Sequence, residues 1–99
     1  MEKISNPRPG EILLEEFLKP LSISLEKLAA ETFIPVVTIE GIITGSIKLE
    51  ADIALRLSQY FGNSPKFWLG IQDDFDLEEQ RTLMGKELKT IKPRQKSTV

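Results

Sequence analysis

The chain has 99 residues, 40% apolar and 28% charged, which suits one small soluble domain and leaves no room for a second. It holds neither cysteine nor histidine, so disulfides, thiolate nucleophiles, zinc–thiolate sites and the commonest general base are excluded. The net charge of −2 is unevenly spread: eight Lys/Arg against fourteen Asp/Glu put residues 1–85 at −6, while five Lys/Arg against one Glu put residues 86–99 at +4.

Residues 1–8 are polar and read as a flexible N-terminus. They lack the apolar stretch of a signal peptide, and no run in the chain approaches the roughly 20 apolar residues of a membrane span. The expected location is therefore the cytoplasm, with no membrane partner. A helical domain is expected over 9–85. Its first helix is GEILLEEFLKP, where Ile12, Leu13, Leu14, Phe17 and Leu18 recur at helical spacing. Pro20 is expected to end it, because proline disfavours helical geometry in the residue before it. Leu21 and Ile23 are then expected to cross toward the core.

The stretch SLEKLAAETFIPVVTIEGIITG, residues 24–45, reads as two short helices around a break. Ser24 suits an N-cap, Leu28 faces inward and the small Ala29 allows close contact with the next helix. Pro35 blocks helical geometry at Ile34. The second helix is rich in β-branched residues and contains Gly41, so it depends on its neighbours, and Gly45 is its natural stop. Two helices across a sharp turn are the plan of the helix-turn-helix, whose second helix lies in the DNA major groove. A plain helical hairpin within a bundle is the competing reading.

EADIALRLSQYF, residues 50–61, is the clearest helix, with Ala54, Leu57 and Phe61 on one face and Gly62 as its stop. Ser64 and Pro65 open another, carrying Phe67, Trp68, Leu69 and Ile71. Asp73, Asp74, Asp76, Glu78 and Glu79 suit a solvated helix start better than a hard-metal site, since EF-hand spacing is absent. An amphipathic stretch continues to about Leu88, and residues 86–99 read as a disordered basic tail that either contacts nucleic acid or is simply solvated. The fold class is all-α.

At this point the residues match a known pattern. Ser24, Leu28 and Ala29, then Ile39, Ile42 and Gly45, resemble the lambda-repressor-like helix-turn-helix family. PGEILLEEFLKPL resembles the opening of the HigA/VapI group of antitoxins. So does ADIALRLSQYFGNSPKFWLGIQDDFDL, with Ala51 and Asp52, the run from Ala54 to Leu57, Phe61 and Gly62, Ser64 and Pro65, the run from Phe67 to Leu69, Gln72, Asp76 and Leu77. The match spans residues 7–80.

The resemblance implies a five-helix DNA-binding domain with a C-terminal helical extension. It implies a homodimeric antitoxin of a type II toxin–antitoxin pair, not an enzyme, with no cofactor and no metal. Such a protein neutralises a small basic RelE/HigB-like ribonuclease and represses its own operon by binding double-stranded operator DNA. Carried onto this sequence, the DNA-binding positions are Ser24, Leu25, Pro35, Val36, Val37, Thr38, Glu40, Gly41, Thr44 and Lys48, and the dimer interface is Phe67, Trp68, Ile71 and Phe75. The acidic residues 73–79 offer a surface for a basic toxin.

The chain departs from the pattern where it matters for reading. Relatives usually place Gln, Arg, Asn, Ser or Lys on the exposed side of the second helix, and here those positions hold Val, Thr, Glu and Gly. The turn, which commonly carries Leu-Gly, here carries Thr32 and Phe33. Two alternatives therefore stand beside the antitoxin-repressor: a stand-alone regulator without a toxin, and a dimerising toxin-binding module that has lost operator recognition.

Overall fold

A computed structural model describes residues 7–94. These residues form six helices and no strands. The first, α1, is continuous from Pro9 to Leu21 but changes register: α-helical over Pro9–Ile12, π-helical over Leu13–Leu18 and α-helical over Lys19–Leu21. Pro9 sits at its first position, and the Glu11 carboxylate accepts the Arg8 backbone N–H at 2.9 Å.

Pro20 does not end this helix, contrary to the sequence expectation. In a regular α-helix its ring would crowd the carbonyl four residues back, where its missing N–H also leaves no bond. The π stretch widens the turn, so that the Lys19 N–H donates to the Leu14 carbonyl, five residues back. The helix stops two residues later, at Ser22, with φ 55°. There the Ile23 N–H donates to the Leu18 carbonyl (2.9 Å) and the Ser22 N–H to the Lys19 carbonyl (3.1 Å), the two bonds of a Schellman motif. This leaves Leu21 exposed rather than in the core, while Ile23 is partly buried.

The next two helices are α2, Leu25–Thr32, and α3, Val36–Thr44. The Ser24 hydroxyl caps α2, accepting from the Lys27 N–H at 3.0 Å. Gly45, with φ 90°, stops α3. Helix α4 is Ala51–Phe61 and ends at Gly62. Helix α5, Pro65–Leu83, is capped by the Ser64 hydroxyl, which accepts from the Phe67 N–H at 3.1 Å. It is longer than expected: the acidic residues 73–79 lie in its middle, not at a helix start. After Met84 a short α6, Gly85–Thr90, occupies part of the stretch expected to be a disordered tail, because Lys86, Glu87, Leu88 and Lys89 are all good helix formers. Residues 95–99 of that tail, and residues 1–6 of the N-terminus, lie outside the described residues.

The core draws on every helix from α1 to α5. Leu13, Leu18, Leu28, Ile34, Ile39, Ile42, Leu49, Ala54, Leu57 and Trp68 are all buried. Helix α3 packs on α1 and α2, α4 on α2 and α5, and α5 also on α1. Weak intrinsic propensity in α3 is thus offset by tertiary contact, with Ile39 and Ile42 as its anchors. Trp68 is 0% exposed and donates its Nε1–H to the Asn63 side chain at 2.9 Å. Phe17, Phe61 and Phe67 surround it with ring centroids 4.8, 6.0 and 5.1 Å away.

Candidate nucleic-acid interface

Helices α2 and α3 meet across Phe33, Ile34 and Pro35. Phe33 adopts φ 60°, the left-handed conformation that glycine takes without a steric cost. The turn therefore keeps a glycine-type shape without a glycine. Its brace is Arg56 on α4. The Arg56 Nη1 donates to the Thr32 carbonyl (2.9 Å) and the Phe33 carbonyl (3.4 Å), while Nε donates to Asp52 Oδ1 (2.7 Å). These bonds satisfy carbonyls that the end of α2 leaves without helical donors. Inside the turn, the Thr32 hydroxyl donates to the Leu28 carbonyl at 2.6 Å. Because the Phe33 side chain is 81% exposed, replacing it loses little burial. Phe33→Gly is expected to raise stability by about 0.5–1 kcal/mol, read as a higher urea midpoint at unchanged m.

The outer surface of α3 presents Val37, Glu40 and Thr44, one helical stripe, with Val36 and Thr38 half-buried on its flanks. Val37 is 71% exposed, a large apolar group facing solvent. Pro35 and Ser24 are exposed at the starts of α3 and α2, and Leu25 is half-buried against the core. Lys48 is exposed in the loop after α3. All of these positions keep some exposed surface.

Gly41 does not. It is buried, and a Cβ there would lie 2.4 Å from Ile47 Cδ1, so it faces the returning loop and not solvent. Its carbonyl accepts from the Ile47 N–H (3.0 Å) and the Thr44 hydroxyl (3.2 Å). Gly41 is a packing residue and leaves the DNA-contact set. Trp68 likewise leaves the dimer set, since it is consumed by the chain's own core, whereas Phe67 is exposed and Ile71 and Phe75 are half-buried.

Helix α5 reaches the loop after α3 through a chain of bonds. Gln72, itself buried, accepts the Leu49 N–H on Oε1 at 2.8 Å and donates from Nε2 to Asp76 Oδ1 at 3.0 Å. Asp76 Oδ2 in turn accepts from Lys48 Nζ at 3.2 Å. Gln72 and Asp76 thereby hold the one cation of that loop in place. Their role was not legible as spacing, because both acceptors and donors lie more than twenty residues from their partners. Arg56 was missed for the same reason; a lone Arg four residues after an Asp reads as an ordinary helix ion pair.

Behind the turn, Phe33, Leu55, Gln59 and Tyr60 line an open groove of about 550 Å³. On its rim the Tyr60 O–H donates to Glu31 Oε1 at 2.5 Å, and Lys27 Nζ donates to Glu31 Oε2 at 3.3 Å. The Tyr60 bond first, and Lys27 second, hold the Glu31 carboxyl below the usual carboxylate range, and the same bond pushes the Tyr60 phenol up. A carboxyl whose folded pKa is depressed stabilises the fold above its unfolded pKa and loses that contribution as pH falls through the folded value. The reverse holds for Tyr60, whose contribution is lost as pH rises through its folded pKa. Tyr60→Phe is expected to move the Glu31 titration upward, measured by NMR of the side-chain carboxyl, and to reduce this acid-limb contribution to stability to the part that Lys27 supplies.

No family model matches the chain. It is 38% identical over 84 residues to antitoxin HigA-1 of Vibrio cholerae, covering 85% of this chain and 79% of that protein. Among solved structures it matches an addiction module antidote protein of the HigA family from Coxiella burnetii, with TM-score 0.86 and 36% identity, over 92% of this chain and 100% of that one. It also matches the Pseudomonas aeruginosa antitoxin HigA solved with the higBA promoter, with TM-score 0.83 and 34% identity, over 89% of this chain and 97% of that one. Six helices in the same arrangement, a braced helix-turn-helix with its second helix bared on one face, and identity across most of both chains lead to one conclusion: the chain belongs to the HigA antitoxin family of helix-turn-helix proteins.

Proposed function

We propose that this chain is a DNA-binding antitoxin that represses its own operon as a homodimer and neutralises a small basic ribonuclease toxin. The observation that carries the reading is the outer stripe of α3, Val37, Glu40 and Thr44, left bare on a helix pair braced by Arg56 and α1. A relative with 34% identity was solved with promoter DNA, which supports the same use of this face. Val36 and Val37 suit contact with thymine methyl groups, and Thr38 and Thr44 suit phosphate or base-edge hydrogen bonds. The dimer reading is supported by apolar residues bared along the C-terminal helices, with Leu77 and Leu83 on α5 and Leu88 on α6. The acidic residues of α5 give a basic toxin an electrostatic approach.

A gel shift on the DNA upstream of its own gene tests the repressor reading. The expected result is a shift at low salt that unlabelled promoter competes away and scrambled duplex does not. A shift that both compete equally would instead favour the second reading, a toxin-binding dimer that has lost operator recognition. Glu40 at the middle of the bare stripe is the observation behind that second reading, since a carboxylate repels phosphate. Co-purification with the product of the neighbouring gene, and loss of that gene product's RNA cleavage, test the antitoxin role.

A further inference from the structure

The side of the molecule that bears α3 holds a cation outside the helix-turn-helix. Arg8, just ahead of α1, lies against the far end of α3. A Cβ on Gly45 would sit 3.2 Å from Arg8 Cδ, 3.6 Å from Nε and 3.7 Å from Nη1. Arg8, Gly45 and Lys48 together line a depression of about 80 Å³, sized for a group such as phosphate.

Both cations have donors to give. The nearest carboxylate to the Arg8 guanidinium among the described residues is Glu11, at 4.0 Å, too long for a hydrogen bond. Glu11 Oε1 is instead engaged by the Arg8 backbone N–H. Lys48 gives one bond to Asp76, which leaves two of its three ammonium protons. Asp76 also borders the depression, and its two oxygens are already taken by Lys48 and Gln72.

The position of the pair follows from helix length. Helix α3 has nine residues, so it rises roughly 13 Å, about the width of the major groove. When its outer stripe faces base edges, the end at Gly45 meets the phosphate rim. We infer that Arg8 is a DNA-backbone contact, gripping with Lys48 one phosphodiester at the end of α3. The inference rests on the proposed DNA-binding reading. It also answers the charge problem of an acidic body whose reading helix carries no Arg or Lys: the affinity comes from beside the helix, from a residue ahead of the first one.

The test is fluorescence anisotropy of the full chain on two labelled duplexes, its own upstream promoter DNA and a scrambled control, across a salt series. Arg8→Gln is expected to weaken binding to both duplexes by the same factor, roughly three- to tenfold, and to make the slope of log K against log salt shallower by about 0.9. Arg8→Lys is expected to restore most of both. Arg8→Met keeps an aliphatic stem against Gly45 and serves if Arg8→Gln melts early; it is expected to behave as Arg8→Gln does. Unchanged affinity and slope in the folded variants overturn the Arg8 contact and leave DNA binding standing. A loss confined to the promoter duplex overturns it as a backbone contact. A wild-type chain that binds neither duplex overturns the inference together with the reading beneath it.

Discussion

Gly10→Ala is expected to destabilise the fold by about 3 kcal/mol or more and to weaken promoter binding with it. A Cβ at residue 10 would lie 2.1 Å from the Ile42 carbonyl oxygen and 2.4 Å from Ile43 Cα. Those atoms are the backbone of α3, so no rotamer change relieves the overlap. Either α1 or α3 must move, and α3 is the helix that carries the proposed reading stripe. For a chain of this size the cost corresponds to a fall in melting temperature of roughly 12 °C or more. Gly70→Ala is the matched control. It also lies within a helix, but a Cβ there meets nothing within 4 Å. The same substitution there is expected to stabilise by about 0.5–1 kcal/mol through helix propensity. Thermal melts of the two variants should therefore move in opposite directions. Equal shifts would mean that α1 and α3 do not meet as closely as described.

Trp68→Ala is expected to cost about 3–5 kcal/mol, a large part of the 5–15 kcal/mol typical of a whole domain. The indole is the largest fully buried side chain, and Phe17, Phe61 and Phe67 all rest on it. Trp68→Phe keeps most of the apolar contact and loses the bond to Asn63, so about 1 kcal/mol is expected. Urea unfolding followed by far-UV circular dichroism measures both. It also separates core from interface: a core role lowers the midpoint at every protein concentration, whereas an interface role shows its effect through concentration dependence.

The sequence made much of the fold legible where structure is decided locally. Ser24 and Ser64 cap the helices they precede, and Gly45 and Gly62 stop the helices they follow, because a cap needs only its own first or last turn. The break at Pro35 is equally local. Readings failed where the deciding partner lay elsewhere. Pro20 looked like a terminator because the π register that accommodates it is a property of the whole first helix. Gly41 looked exposed because only the folded loop brings Ile47 back over it. Trp68 was assigned to a second subunit on the family resemblance, which does not show which neighbour covers an apolar side chain in this chain. The candidate site divides in the same way. The outer stripe of α3 follows from helical spacing. Arg56, Gln72, Asp76 and Arg8 act on partners far away in the chain, and no spacing rule reaches them.

The bonds from α5 to Leu49 and Lys48 have a thermodynamic consequence. The helix that carries the acidic run and the bared leucines also fixes the loop that ends the reading helix. On the proposed reading, in which Lys48 meets a phosphate, a molecule that binds α5 more tightly in one position than another therefore changes the free energy of that contact. By linkage the coupling runs equally both ways: whatever factor such a molecule takes from operator affinity, operator DNA takes from its own. Gln72→Ala would remove the bond to Leu49 and leave only the one from Asp76 to Lys48, and its signature would be a weaker dependence of each affinity on the other.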